Sequence, residues 1–328
     1  MMRIMKDSDR TSQFCNAIWE WYGRHKRTLP WRDMDISDDS ERAYRVLASE
    51  VMLQQTQVSR VTIVFKDFLS RFSSLESLAA ATNAEVILAW KGMGYNSRAL
   101  RLRDAAKSVV EQYNGVFPHD FDALLSIKGL GPYTAAAIRN FAFNIPTPCI
   151  DTNIRRILHR TFVGPETVEG TWSMSDKKLL EIAASVLGEA IDGKPDHDAR
   201  NWHAALMDFG SLVQTKNNPK WDICPLTDAN IMLTTPANWI PPVRGAAKEK
   251  LKKEPGRMLG STYIPNRIFR GRIVEALREH PDGLSFDQIG AEICTDWAEE
   301  YREWLKGLLV KLETDGMLRE KGENFILG

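Results

Sequence analysis

Apolar residues recur at three- and four-residue spacing along the first two-thirds of the chain, and strand-like alternation is missing from that stretch. The pattern predicts helices over 11–25, 42–56, 58–71, 74–80, 83–90, 97–113, 120–127, 132–142, 152–162, 174–188 and 197–213. The breaker-rich segment Thr234-Thr235-Pro236-Ala237-Asn238-Trp239-Ile240-Pro241-Pro242 then interrupts it. Periodicity resumes over 266–279, 285–293 and 297–314, with a turn at Pro281-Asp282-Gly283. The chain closes with Met317-Leu318-Arg319 facing Asn324-Phe325-Ile326-Leu327. Three helices and a terminal hairpin predict a winged-helix-like module, a type that usually binds DNA and often binds only protein. The expected class is mainly α, with a helical domain over 1–230, a basic, Pro-containing linker over 231–263 and the winged-helix-like domain over 264–328.

One break between helices differs from the rest. The apolar pattern that starts at Phe121 stops at Lys128-Gly129-Leu130-Gly131, and Pro132 opens the next helix, where its missing N–H is harmless. This is a helix-hairpin-helix. Two glycines let the backbone approach a partner, and the free N–H groups and positive dipole end of the new helix favour an anion. No lysine-bearing phosphate loop is present, so the anion expected is a nucleic-acid phosphate. Nineteen residues beyond Pro132, Asp151 stands at the start of another helix, as an ordinary N-cap would.

Composition adds little and excludes much. A chain of 328 residues with 43% apolar and 26% charged residues is an ordinary multidomain globular protein. No apolar run approaches the roughly 20 residues a membrane span needs, and the start Met1-Met2-Arg3-Ile4 lacks a signal-peptide core. A cytoplasmic, nucleoid-associated protein without membrane contact is expected. Cys15, Cys149, Cys224 and Cys294 show no paired spacing, which argues against a disulfide framework or a metal knuckle. Net charge is zero, but Arg244 to Arg278 holds ten basic residues against three glutamates, so this stretch carries +7 and the rest −7. Lys248–Lys253 alone reads as a solvated linker, whereas Arg267, Arg270 and Arg272 continue into a helix and point to phosphate contact.

Two carboxyls stand out chemically. Glu50 lies three residues from Leu47 and Leu53 and four from Val46, on the apolar stripe of its helix. Loss of hydration there raises a carboxyl pKa, which suits a proton donor near neutral pH. Equally, such a glutamate can be a buried group satisfied by Arg32 or Arg45. Asp151 is expected to stay ionised, because the helix N-terminus favours negative charge. A neutral acid paired with a fixed anion is the arrangement that breaks glycosidic bonds through an oxocarbenium-like transition state.

The blocks Leu29-Pro30-Trp31-Arg32, Ser49-Glu50-Val51-Met52-Leu53-Gln54-Gln55-Thr56-Gln57-Val58, Gly92-Met93-Gly94-Tyr95, the hairpin at 128–134, Asp151-Thr152-Asn153 and Leu206-Met207-Asp208-Phe209-Gly210 resemble, in order, the A/G-specific adenine DNA glycosylases of the helix-hairpin-helix superfamily. The resemblance covers residues 12 to about 226 and implies the two-lobed glycosylase fold of that superfamily. It implies that Glu50 protonates the flipped base, Asp151 stabilises the sugar cation and Asn153 helps hold the site. Gln55 would enter the gap left in the base stack, with Leu53 and Gln54 beside it. Lys128, Gly129, Leu130, Gly131, Arg32 and Tyr95 would contact DNA. Tyr133 stands where strand-cleaving relatives carry a Schiff-base lysine, so a monofunctional, monomeric glycosylase acting on double-stranded DNA with a mismatched or damaged base is expected. A mispair also opens more cheaply than a matched pair.

The chain departs from that family at three places. Four cysteines hold an iron-sulfur cluster in relatives; the matching positions here are Gln214, Trp221, Cys224 and Asn230, and one thiolate cannot hold the cluster, so no cofactor is expected. Nothing after residue 240 resembles the Nudix-like domain of relatives that act opposite 8-oxoguanine. Asn96 stands where many relatives have a second tyrosine, and it stacks poorly. Two alternatives follow: a thymine glycosylase acting on G/T mismatches, and a DNA-binding protein that keeps the scaffold without turnover.

Overall fold

Short polar punctuation sets where the helices start. A computed structural model describes residues 7–167, 170–241 and 254–328. In it Ser74 and Thr82 open α4 (Leu75–Ala80) and α5 (Asn83–Ala89) with capping boxes, each hydroxyl accepting the backbone N–H three residues on. Helix α6 (Ser97–Tyr113) stops where Asn114 turns left-handed at φ 52°. Helix α1 (Asp7–His25), α2 (Asp39–Leu53) and α3 (Val58–Arg71) precede these. Periodicity predicts a helix over 42–56; the chain instead leaves α2 at Leu53, and Gln55 takes φ 56°.

The described residues form two compact units. The first holds the residues before Leu47, Pro118–Ser126 and the residues from Leu130 to 241. It contains α7 (Phe121–Ser126), α8 (Pro132–Phe141), α9 (Thr152–Phe162), α10 (Asp176–Ala190), α11 (Ala199–Leu212) and α12 (Pro225–Asp228). Its core is aromatic. Phe14 of α1 meets Phe162 and Trp202 edge-on at centroid distances of 5.3 and 6.0 Å, and all but Phe162 are fully buried. Each such ring contributes about 1.5–3 kcal/mol by leaving water.

The second unit holds Leu47–Phe117, Ile127–Gly129 and the described C-terminal residues 254–328. Strands β1 (Gly256–Leu259) and β2 (Thr262–Pro265) form an antiparallel pair ahead of α13 (Asn266–Glu279). Then come β3 (Leu284–Ser285), α14 (Phe286–Ile293), α15 (Arg302–Thr314), β4 (Leu318–Lys321) and β5 (Asn324–Leu327), with the last sheet ordered β3-β5-β4. Helix, strand, helix, helix, hairpin is the element order of a winged helix. Leu318 pairs with Leu327 and Leu284 with Phe325.

Periodicity marks these helices as amphipathic but does not say what their apolar faces meet. Phe269, Ile273, Leu277, Ile289 and Leu305 share one core with Ile87 of α5 and Leu100 of α6. Asn83 donates to the Gly316 carbonyl at 2.6 Å. The module is therefore continuous with the helices of its unit. Residues at both ends of the expected linker are packed or paired: Ile231 and Met232 are buried, Leu233 and Thr234 donate N–H bonds to the Thr161 and Arg160 carbonyls, and β1 and β2 occupy 256–265. Arg244 and Lys248–Lys253 lie outside the described residues. Of the arginines expected to meet phosphate, Arg267 pairs with Glu254 at 2.9 Å and Arg272 donates to the Ile293 carbonyl at 3.0 Å.

Leu277→Ala removes a side chain that is 1% exposed in this shared core. It is expected to lower stability by about 2–4 kcal/mol, read as a lower urea midpoint. An unmoved midpoint would show that the module is not part of the cooperative core.

Candidate active site

Pro146 and Pro148 keep the approach to α9 extended, and Asp151, at φ −98° and ψ −174°, becomes its N-cap. One carboxylate oxygen accepts the Ile154 N–H at 2.6 Å and the other accepts the Asn153 side-chain amide at 3.1 Å. Asn153 in turn accepts from Arg156 at 2.6 Å, and Arg156 also donates to the Gly210 and Gln214 carbonyls. Asp151 and Asn153 are thus one hydrogen-bonded unit. A Cβ on Gly210 would lie 2.6 Å from the Asn153 Cβ, so α11 can approach α9 this closely only with glycine there.

Burial pushes the Asp151 carboxyl above its ordinary range, although the N–H groups of Ile154 and Asn153 and the charge of Arg156 pull the other way. The donors at the helix N-terminus favour the anion as expected from the sequence, and burial is the opposing contribution that spacing does not show. Burial likewise lowers Arg156 to about 10.

Arg32, expected to contact DNA, is turned inward. It donates to Asp208 at 2.8 Å with its side chain 10% exposed, and Arg27 closes on the same fully buried carboxylate at 2.6 Å. Arg45 pairs with Glu41 one turn away. Asp208 had no assigned role; its neighbours on α11, Leu206 and Phe209, are buried, so its position on the apolar face was the signal.

In the hairpin, Lys128, Gly129, Gly131 and Pro132 are exposed, while Leu130 is buried. Gly129 takes φ 97°, where an added Cβ would also sit 3.4 Å from the Arg101 carbonyl. Gly131 is extended and caps α8 without a side chain, leaving open space in front of it. Tyr133 is half-buried in the first turn of α8.

Glu50, 8% exposed, sits in the second unit among the buried Ser49, Val51 and Met52. Beyond it α2 ends, with Leu53 half-buried and Gln54 and Gln55 exposed. The end is held by a residue that sequence reading missed. Arg98, 3% exposed, donates through one nitrogen to the carbonyls of Val51 and Met52 at 3.0 and 3.1 Å and to that of Gln54. Its other nitrogen donates to the Thr56 hydroxyl at 3.1 Å and to the Met93 and Gly94 carbonyls at 2.9 and 3.2 Å. The Gln54-Gln55 turn and the Gly94-Tyr95 turn are therefore tied by one guanidinium. Tyr95 is 51% exposed at φ 46°, its ring 5.6 Å from the Arg98 guanidinium carbon.

The positions that match the cluster ligands do not fit an iron-sulfur cluster. Gln214 is fully buried and donates to the Cys224 sulfur at 3.3 Å, which itself lies 3.9 Å from the Met232 sulfur. Arg160, fully buried, donates to Gln214 at 3.0 Å, pairs with Glu166 at 2.6 Å and lies 5.9 and 5.8 Å from the Trp221 and Trp239 rings. Asn230 is exposed at φ 54°. Among the described residues no group of three His, Cys, Asp or Glu could hold a metal ion.

A hairpin of this kind followed by a capping Asp-x-Asn is the frame of a base-excision glycosylase. Residues 48–184 match the family model described as HhH-GPD superfamily base excision DNA repair protein. The chain is 33% identical over 307 residues to an adenine DNA glycosylase of Mycolicibacterium smegmatis, covering 93% of this chain and 92% of that one. It is 34% identical over 226 residues to the adenine DNA glycosylase of Homo sapiens, covering 68% and 40%. A thermostable thymine-DNA glycosylase shares the fold, with a TM-score of 0.58 at 24% identity over 69% of this chain and 96% of that one. This chain belongs to the adenine DNA glycosylase family.

Asp151→Asn tests the electrostatics directly. A carboxyl raised in the folded state adds its stability below its unfolded pKa, about 3.9, and loses it as pH rises through the folded value. The amide is therefore expected to raise the thermal midpoint at pH 7, and the gain should vanish near pH 3.5. A lower midpoint at pH 7 would contradict a strained carboxylate.

Proposed function

We propose that this chain is a monofunctional DNA glycosylase that hydrolyses the N-glycosidic bond of adenine in a mispair with guanine or 8-oxoguanine. The observation that carries the reading is Asp151, a carboxyl that burial disfavours as an anion even though three donors surround it. A cation formed at the sugar adds to the donors and the Arg156 charge that favour that anion, so the interaction strengthens on the way to the transition state. Glu50, buried on α2, supplies the proton. As the bond between the sugar C1′ and the base nitrogen breaks, its electron pair leaves with the base, and the Glu50 proton on a purine ring nitrogen neutralises the charge. Water then adds to the sugar and gives its proton to the solvent, leaving an abasic site and free adenine.

The exposed Lys128-Gly129 and Gly131-Pro132 rim is proposed to take a backbone phosphate of double-stranded DNA. Gln55, exposed beyond α2, is proposed to enter the stack that the flipped base leaves, with the exposed Gln54 beside it. Tyr133 offers no amine, so the strand stays intact. The protein is proposed to work without an iron-sulfur cluster, its place in the first unit filled by Arg160, Glu166, Gln214 and Trp221.

Duplexes carrying A opposite 8-oxoguanine, A opposite G and T opposite G separate the readings. Adenine release is expected from the first two. Glu50→Gln and Asp151→Asn should each reduce it by roughly 10²–10⁴-fold while sparing duplex affinity. Release of thymine alone would replace adenine as the substrate, and no release from any duplex would leave a binding protein. For the cofactor, iron analysis and visible absorbance of the purified protein are expected to show far less than one cluster per chain. Near-stoichiometric iron would overturn that part.

A further inference from the structure

Asn is a favoured N-cap, and Asn96 holds that position on α6, yet its side chain makes no capping bond. It is 8% exposed, and its oxygen accepts instead from Arg278 at 2.9 Å, a residue 182 positions later on α13. Arg278 is itself 7% exposed; it donates through two nitrogens to the Ile87 carbonyl, at 2.8 and 3.3 Å, and pairs with Glu275. Its guanidinium thus bridges the end of α5 and the start of α6, the two ends of the loop that carries Gly94 and Tyr95.

That loop is strained and exposed together. Gly92, Gly94 and Tyr95 all take positive φ, and Tyr95 has a side chain to accommodate there. Such a conformation persists only where the surroundings over-determine it. Trp90 holds the Gly94 carbonyl at 3.1 Å, and Arg98 holds it from below. Arg278 holds Asn96, two residues on. A cleft of about 490 Å³ opens between the turn, with Tyr95 and Asn96, and α13, with Arg272, Glu275 and Glu279. The C-terminal module therefore reaches the Tyr95 turn through the buried Arg278–Asn96 hydrogen bond, and the exposed Lys91–Glu279 pair ties the same loop to α13.

We propose that Arg278 is a positioning residue for the Tyr95 turn: by holding Asn96 it fixes the exposed ring in the geometry that meets the mispaired duplex, and so the C-terminal module contributes to substrate selection. The selection part rests on the glycosylase reading; the positioning part does not. It also accounts for the asparagine in place of a second aromatic residue, since a buried acceptor is what Arg278 needs at position 96.

The test uses the full chain with 3-fluorotyrosine at position 95, read by fluorine NMR without DNA, together with steady-state release of adenine from an A opposite G duplex. Wild type is expected to give one sharp resonance. Asn96→Ala and Arg278→Met should split or broaden it and raise KM about tenfold, with kcat within a factor of two. Asn96→Asp, which still accepts from Arg278, should restore both. Should Arg278→Met not fold, Asn96→Ala and Asn96→Asp suffice. An unchanged resonance in Asn96→Ala overturns the positioning role, and a broadened resonance with KM unmoved overturns its link to selection. If the resonance broadens but wild type releases no base from any duplex, positioning stands and the glycosylase reading falls.

Discussion

The guanidinium of Arg98 is the constraint on which the second unit is organised. A helix that ends abruptly leaves its last carbonyls without partners, and α2 ends at Leu53 with Gln55 already left-handed. Arg98 supplies the missing donors and reaches across to the Met93 and Gly94 carbonyls. Five fixed donors on a planar group can do this, whereas a lysine ammonium could not span both turns. The aromatic faces of Trp90 and Tyr95 lie 5.5 and 5.6 Å from the same cation, so its charge is shielded on the sides where no carbonyl reaches.

The first unit solves a different problem. It must hold a carboxylate in an environment that does not suit one, and it does so with the chain Ile154 N–H, Asn153, Arg156 and the carbonyls of α11. Gly210 permits the close approach, and Asp208 two residues earlier anchors the segment after α1 through Arg27 and Arg32. Stability is sacrificed at Asp151 and recovered around it, a common bargain at reactive sites.

Local chemistry was legible in the sequence and distant pairing was not. Gly129 and Pro132 marked the hairpin because a positive φ and a missing N–H are properties of single residues. Asp151 marked a helix start for the same reason, and Glu50 could be placed inside because helical period alone decides its face. The helices of the C-terminal module lay close to their predicted bounds. By contrast, Arg32 was expected to contact DNA or to satisfy Glu50, and Asp208, 176 residues away, takes it inward. The early end of α2 depended on Arg98, and the shared core depended on which apolar stripes meet. None of these leaves a trace in local spacing. β1 and β2 were missed because four-residue strands in a basic stretch carry too little alternation to register.

The shared core also sets an order of events during synthesis. Ile87 and Leu100 share their core with residues from Phe269 to Leu327, so that core closes only when nearly the whole polypeptide has left the ribosome. A chain stopped early keeps Glu50 and Asp151 but lacks the last partner of its Tyr95 loop. The hold on that loop thus arrives only once α13 has been made.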